Sequence, residues 1–261
     1  MSKLPRWKTI SAKDGVWRIQ LSSWKYFHDY VRQQMLDYSH YVWRGHRDSS
    51  WKLQSSLDRS LKSKLVSDRD LHAAQHLKRF KLSVRGRRGS SPSRIDDENE
   101  WWALGQHHSL ATPLLDWTES AFVALYFAFE KQEKSSNGSR SVWALGDMRS
   151  KNIDIEKSHK SKSRPPIIEY IRPHQDDNAR LVNQAGLFTR VPLGITVEEW
   201  VSKHSVGEDN YGHLIQLIIP DKDRPECLRT LNRMNINHLT LFPDLYGAGH
   251  HCNNALQIEK Y

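Results

Sequence analysis

The segment from Trp101 to Glu130 constrains the fold most strongly, because it predicts a short buried strand that runs directly into an apolar helix. Four large apolar residues recur at positions i, i+3, i+4 and i+7, which is one face of a helix: Phe122, Leu125, Tyr126 and Phe129. Three small residues lie beside this stripe and would let a neighbouring backbone approach closely: Ala121, Ala124 and Ala128.

The strand before this helix is predicted over Leu114–Trp117, with Pro113 at its start, where a proline is tolerated. Thr118 is the expected N-cap of the helix, and Glu119 suits the positive end of the helix dipole. Asp116 and Thr118 are therefore expected at a strand-to-helix junction, where polar groups meet backbone N–H donors.

Two interpretations of this junction stay open. A strand followed by an amphipathic helix is ordinary core, and Asp or Thr before a helix is usually a cap. A functional site is favoured by the number of polar and ring-bearing groups in one segment, since burying so many polar groups is costly without partners. These groups are Gln106, His107, His108, Asp116, Trp117 and Thr118.

Length and composition predict one domain over residues 1–261, because the chain can bury a sizeable core and shows no repeat or linker that would divide it.

No run approaches the ~18 apolar residues of a membrane span, and MSKLPRWKTI lacks the apolar core of a signal peptide. Only two cysteines are present, Cys227 and Cys252. We therefore expect a cytoplasmic protein without membrane association.

The net charge of +9 raises the affinity of the chain for polyanions, including nucleic acids and nucleotide phosphates. Much of the positive charge lies in the segment Arg79–Arg94, which is predicted to be a loop with a basic face. Such a loop could contact phosphates, although most charged runs are simply solvated.

Local patterns predict a helical N-terminal part over about 16–40 and a motif-bearing core over about 41–256. In the N-terminal part, Ser22 or Ser23 would cap a helix over Trp24–Leu36. Residues 149–166, rich in Lys and Ser, are expected to be mobile. The remaining predicted elements are helices over Asp68–Phe80, from Glu98 onward and over Leu228–Asn235, strands over Tyr41–Trp43, Ser141–Asp147 and His213–Pro220, a helix end passing into a strand over Asn178–Pro192, and a strand-like start at His238 before a turn at Pro243 and a last helix.

Arg44 follows a predicted buried strand and precedes Gly45. An unpaired buried guanidinium is prohibitive, so Arg44 requires a carboxylate or a phosphate. One interpretation is a structural salt bridge to Asp58 or Asp116. The other interpretation is that the Arg44 guanidinium donates paired hydrogen bonds to a diphosphate or ribose, which Gly45 would allow to approach closely.

Several common motifs are absent from the sequence. It contains no P-loop, no glycine-rich dinucleotide fingerprint and no serine-hydrolase elbow. His107-His108 and His250-His251-Cys252 are adjacent residues without the spacing of a helical ligand pair. We therefore predict no metal site.

Four stretches resemble the FRG domain family in order and approximate spacing: WRGHRDSSWKLQSSLDR, QHHSLATPLLDWTESAFVALYFAFE, RLVNQAGLF and TLFPDLYG. The Phe-Arg-Gly triplet that names the family corresponds to Trp43-Arg44-Gly45. The resemblance runs from about Trp17 to Leu256. This chain departs from the usual family pattern at Ser109, Ala111 and Pro113, where the family usually has Gly, Pro and Arg.

The family pattern is similar to that of ADP-ribosyltransferases, and the family often occurs in bacterial and phage-linked defence or toxin-like genes. The resemblance implies an α+β fold of ADP-ribosyltransferase type, a single domain with a mixed β-sheet core flanked by helices. It also implies NAD as the substrate. An antitoxin-like or defence-system partner and a nucleic-acid partner are both consistent with it.

The resemblance further implies roles for individual residues. Arg44, beside Gly45, would hold the NAD phosphates or ribose, and Gln184 would lie in the third motif of the site. The remaining positions implied to contact NAD are Thr112, Trp117, Thr118 and Tyr126, with Tyr126 stacking near the nicotinamide.

The catalytic assignment stays open at this stage. Gln184 cannot act as a base, so Asp116 or Glu100 would have to supply the negative charge, and His107 could act as a general acid or base. The leading hypothesis is cleavage of the nicotinamide–ribose bond and transfer of ADP-ribose to a macromolecule, with nucleic acid slightly favoured over protein. The alternatives are a non-catalytic nucleotide- or nucleic-acid-binding sensor and a nuclease that uses the histidines.

Overall fold

A mixed sheet of eight strands forms the centre of the computed structural model, which describes residues 5–161, 163–173 and 179–261. The strands are β1 (Trp7–Lys13), β2 (Val16–Leu21), β3 (Val42–His46), β4 (Leu114–Thr118), β5 (Ser139–Leu145), β6 (Glu169–Ile171), β7 (Gly186–Arg190) and β8 (Leu214–Pro220). The α-helices are α1 (Phe27–Tyr30), α2 (Ser56–Ser60), α3 (Val66–Ser83), α4 (Glu98–His107), α5 (Ala121–Phe129), α6 (Arg149–Ser158), α7 (Ala179–Asn183), α8 (Val197–His204), α9 (Arg224–Arg233), α10 (His238–Leu241) and α11 (Leu245–Gln257). The predicted α+β class, a mixed sheet flanked by helices, is confirmed.

The strand order across the sheet is β1-β2-β8-β5-β3-β4-β7-β6. Strands β2 and β8 pair in parallel, and the other described pairs are antiparallel. The largest apolar cluster lies around α5 and α9, a second contains α8, and a third lies beneath α3 and α4. Among the described residues no helix is long and apolar enough to cross a membrane.

Helix α5 lies directly against β3, because both elements present small residues at their contact. A Cβ atom on Gly45 would lie 2.1 Å from the Ala124 carbonyl oxygen and 2.5 Å from the Ala128 nitrogen. The prediction that the alanines of this helix allow close approach of another backbone is thus confirmed. The predicted N-cap is wrong by two residues: Ser120 accepts the hydrogen bond from the Val123 N–H, at 3.3 Å.

The N-terminal region differs from its prediction, because residues 16–21 form a strand and not the start of a helical part. This strand pairs with β1 on one side and with β8 on the other. Pairing with a strand nearly 200 residues away is a tertiary effect that overrides local preference. The predicted Ser23 cap is confirmed, and behind it Trp24–Tyr26, α1 and Val31–Met35 form 3₁₀, α and π turns in succession.

Two other predictions are corrected. Part of the segment expected to be mobile forms α6, which is joined to the chain beyond it by the Asn152 amide donating to the Ile168 carbonyl at 2.7 Å. The segment at His238 is helical, because Asn237 and Thr240 form a capping box at its start. The predicted passage from helix to strand through Gly186 is confirmed, except at Asn178, which lies outside the described residues.

Ser109 follows α4 with a φ of 62°, in the left-handed region that favours glycine. Glycine would therefore be less strained than serine at this position.

Candidate functional site

The central sheet opens between β3 and β4, and the opening forms a cavity of about 280 Å³. The two strands share one registered pair, Trp43 with Thr118, whereas β3 is paired along its length with β5 and β4 with β7. The cavity is lined by Trp43, Arg44, Gly45, Asp116, Trp117, Thr118, Phe127, Glu130 and Gln184. Six of these residues belong to the predicted site: Arg44, Gly45, Asp116, Trp117, Thr118 and Gln184.

The guanidinium group of Arg44 bridges the gap between the two strands. Its Nη1 donates to the Asp116 carbonyl oxygen at 2.5 Å and lies 3.3 Å from Oδ2 of the same residue. Of the two carboxylates considered as its partner, Asp116 is therefore the correct one. Asp58 instead pairs with Arg69, at 2.6 Å.

The other side of Asp116 is held by α4. The Gln106 amide donates to both carboxylate oxygens at 3.1 Å, and the Thr112 hydroxyl donates to Oε1 of Gln106. Thr112 is fully buried and is not part of the cavity lining, and its predicted contact with a ligand stays a prediction. The Asp116 side chain is 60% exposed and lines the cavity.

His46 orients Arg44 from within the same strand. The Arg44 Nε–H donates to His46 Nε2 at 3.1 Å, which requires that nitrogen to be unprotonated. Burial, with the nearby positive charge of Arg44, lowers the pKa of His46 to about 3. The imidazole is therefore neutral at physiological pH and accepts the arginine hydrogen bond.

Glu130 is a second carboxylate at the cavity, and sequence reasoning did not identify it. It follows the last residue of α5 and its side chain is 12% exposed. Burial opposes its charge, but the contacts with His238 Nε2 at 3.2 Å and Lys131 Nζ at 3.3 Å outweigh burial, so the pKa of Glu130 lies below its usual value. An acid at a helix C-terminus is electrostatically unfavourable, and this was the available signal.

Tyr126 lies behind Glu130 and is absent from the cavity lining. Its ring is fully buried, and its hydroxyl hydrogen-bonds to His238 Nδ1. Burial raises the pKa of this hydroxyl, so it remains protonated. In this structure Tyr126 contacts His238, which in turn contacts Glu130. The expected stacking of Tyr126 on a bound ring stays a prediction.

Two arginines fix the chain around Glu130 by binding carbonyl groups at the end of α5. Arg140 donates to the Ala128 carbonyl at 2.8 Å and to the Lys131 carbonyl at 3.0 Å. Arg224 donates to the carbonyls of Phe129 at 2.8 Å and Glu130 at 2.6 Å. Cations that satisfy the free carbonyls of a helix end also offset its negative dipole.

The cavity lining also contains Thr118 and Gln184. The Thr118 hydroxyl donates to the Gln184 carbonyl at 2.6 Å, and the Gln184 amide donates to the Leu241 carbonyl at 3.0 Å. These bonds join β4 to the start of β7 and to α10, so both predicted residues are held in place.

The two remaining residues of the predicted site are His107 and Gly45. His107 is exposed at the end of α4 and is not part of the cavity lining; partial burial and neighbouring His108 lower its pKa. Gly45 contributes backbone to the cavity, but its missing side chain makes room for α5 and not for a ligand.

Residues 39–137 match the family model of the FRG domain. This confirms the predicted resemblance over the part of the chain that runs from β3 to the residues just beyond α5. The matched region carries Arg44, Asp116 and Glu130, whereas Gln184 and His238 lie outside it. No curated protein and no solved structure matches the chain.

Among the residues that the structure describes, no group of three or more His, Cys, Asp or Glu side chains is arranged to hold a metal ion. Both cysteines are free thiols, Cys227 buried in the core and Cys252 exposed.

Proposed function

We propose that this protein is an ADP-ribosyltransferase-like enzyme that cleaves the nicotinamide–ribose bond of NAD and transfers ADP-ribose to a macromolecule, with nucleic acid favoured over protein. The observation that carries the proposal is the meeting of one arginine and two carboxylates, Arg44, Asp116 and Glu130, around a single cavity. A toxin or anti-phage defence setting, with an antitoxin-like or defence-system partner, belongs to the same proposal.

The proposed reaction needs negative charge near the sugar and positive charge near the phosphates. The bond from the ribose C1′ to the nicotinamide nitrogen breaks, and its electron pair leaves with neutral nicotinamide. The resulting oxocarbenium-like centre is stabilised by a nearby carboxylate. A lone pair of the acceptor then forms the new bond to C1′, and the acceptor proton passes to a carboxylate or to water.

Glu130 is the better of the two carboxylates for this charge stabilisation. It is shielded from water, and its lowered pKa keeps it ionised at neutral pH. Electrostatic interactions are stronger where water is excluded. Asp116 is largely exposed and already contacts Arg44, so its proposed role is to orient the guanidinium.

Arg44 is proposed to bind a phosphate through donors that its internal contacts leave available. Nη1 and Nε are bonded to Asp116 and His46, and Nη2 makes no hydrogen bond to a described residue. The cavity volume of about 280 Å³ is at the lower end for small-molecule sites. It therefore suits one ring and its sugar, while the rest of a dinucleotide would extend over the open mouth.

The test is incubation of purified protein with labelled NAD, alone and with single-stranded DNA, duplex DNA, RNA or protein lysate, following nicotinamide release and label transfer. Glu130→Gln preserves shape and removes charge, and we expect a loss of turnover of roughly 100-fold or more. Arg44→Ala is expected to abolish turnover.

Matched controls are available on the same elements. Glu133→Gln removes an exposed acid three positions along the same loop, and Arg47→Ala removes the arginine that pairs with it at 3.0 Å. Both controls are expected to keep turnover within about 3-fold, because neither residue lines the cavity and ion pairs near the surface contribute little. Full turnover in a folded Glu130→Gln protein would disprove the assigned role.

A binding module without chemistry is the second candidate, and it is favoured by the internal pairing of both carboxylates and of the Gln184 amide. Calorimetry would then detect tight nucleotide binding that depends on Arg44, while mass spectrometry would find no product. This result would replace the enzyme proposal.

A further inference from the structure

A basic surface lies on the end of α3 and the loop that follows it, away from the cavity. We call it the basic ridge, and it consists of Lys78, Arg79, Lys81, Arg85, Arg87, Arg88 and Arg94. No Asp or Glu interrupts the segment 78–94. None of its cations lines the cavity, so the proposed reaction leaves this surface unexplained.

Most cations of the ridge are not ion-paired. Arg94 contacts Asp96 at 2.7 Å, and the other six cations have no carboxylate within ion-pair distance in the described part of the chain. By contrast, the buried Arg69 and Arg140 each have an acid partner. Like charges held near each other destabilise a surface, and an external polyanion would relieve this repulsion.

Several of these side chains are held in place before any ligand binds. Lys81 and Arg88 both lie over the ring of Trp101, at 5.2 and 5.1 Å from its centroid. Arg88 also donates to the Ser93 carbonyl at 2.5 Å, and Arg87 donates to the Ser83 carbonyl at 2.9 Å. Such restraint lowers the entropy cost of binding.

We propose that the basic ridge binds the phosphodiester backbone of a nucleic acid. Five of its seven cations are arginines, whose planar fork matches phosphate oxygens. The cations are spread along an extended segment, which fits a row of phosphates better than one small anion. A membrane surface would require bulky apolar side chains among the cations, and Leu82 is the one large exposed apolar side chain within 78–94.

The position of the ridge also relates it to the cavity, and this part rests on the proposed function. Helix α4 contacts the ridge through Trp101 and the cavity through Gln106, which bonds to Asp116. These two side chains are five positions apart, about 7.5 Å along the helix axis and about 140° around it. A strand bound to the ridge would have to pass around α4 to reach the cavity as the acceptor of ADP-ribose.

The test is fluorescence anisotropy with labelled oligonucleotides of about 16 nucleotides, without NAD, over a series of salt concentrations. Single-stranded DNA, RNA and duplex DNA form separate arms, and vesicles containing phosphatidylserine form a fourth. The ridge variant is Arg85→Ala/Arg87→Ala/Arg88→Ala. The control variant is Lys8→Ala/Lys13→Ala/Lys222→Ala, which removes the same charge from exposed positions elsewhere.

For a single strand, loss of three phosphate contacts is expected to make the plot of log affinity against log salt less steep by about 2. The affinity at low salt is expected to fall by roughly 10-fold or more. The control variant is expected to stay within about 3-fold. Lys78→Ala/Arg79→Ala tests the same ridge on α3 without disturbing the hydrogen bonds of the loop, and it is expected to lower the slope by about 1.

Equal weakening by the ridge and control variants would overturn the proposal, because binding would then follow net charge alone. Absence of oligonucleotide binding by the unmodified protein, or ridge-dependent binding to vesicles only, would also overturn it. Binding is measured without turnover, so its outcome is separate from that of the NAD experiment. If both proposals hold, the ridge variant loses transfer to nucleic acid and keeps nicotinamide release.

Discussion

Arg44 and Gly45 are neighbours on β3, but their contacts have different roles. The Arg44 guanidinium bridges to β4 and borders the cavity. Gly45 allows the backbone of α5 to approach β3. The backbone of Gly45 is not in the left-handed region, so the requirement for glycine is one of space and not of conformation.

We predict that Gly45→Ala lowers the free energy of unfolding by about 3 kcal/mol or more, because the new methyl group would overlap the α5 backbone. Chemical denaturation monitored by circular dichroism measures the change. Gly249→Ala is the matched control: its Cβ would meet nothing within 4 Å, and alanine in a helix favours stability by up to about 1 kcal/mol. Equal stability of Gly45→Ala and the unmodified protein would contradict the close contact between β3 and α5.

At the scale of elements, the C-terminal end of α5 is unusual because an acid, Glu130, lies at the negative end of the helix. The end is stabilised by Arg140 and Arg224, which bind its free carbonyls. Arg140 is 1% exposed and pairs with Asp221, which is 7% exposed. The carboxylate at the cavity therefore depends on arginines that come from β5 and α9.

Arg140→Met is expected to lower the free energy of unfolding by about 3–5 kcal/mol, since it leaves Asp221 buried without its partner. Arg149→Met is the control, because Arg149 is 82% exposed and pairs with Asp147 at the surface; its effect should stay below about 1 kcal/mol. Thermal and urea unfolding of both variants give the comparison. Similar small losses in both would show that Arg140 does not hold this end of the helix.

For the molecule as a whole, the buried neutral histidine at β3 links folding to pH. His46 has a folded-state pKa of about 3, and an unfolded histidine has a pKa of about 6.5. The unfolded chain therefore binds a proton that the folded chain does not, from about pH 6.5 down to about pH 3. Stability is lost over this window as the pH falls.

We predict that His46 alone accounts for a loss of about 2 kcal/mol between about pH 7.5 and about pH 5. His46→Gln keeps an oxygen that can accept from Arg44 and cannot titrate in this window, so its stability should depend less steeply on pH. Urea unfolding at a series of pH values measures the difference between the two slopes. Parallel slopes for both proteins would show that His46 is not held neutral in the folded state.

Much of the candidate site could be predicted from sequence because its signals are local. The strand Leu114–Thr118 and the helix after it follow from residue spacing, and the need of Arg44 for an anion follows from the cost of a buried charge. Sequence could not place Tyr126 behind the cavity, since its partner His238 is 112 positions away.

The sequence by itself determined the elements whose evidence lies within one turn or one strand: β4, α5, and an arginine beside a glycine on β3. The tertiary structure alone decided that Arg44 pairs with Asp116 and not with Asp58, that residues 16–21 become a strand, and that Glu130 borders the cavity. The physical reason is that helix periodicity and capping are set by neighbours in the chain. Strand pairing and the approach of charged side chains depend instead on the order of all eight strands, which brings distant residues together.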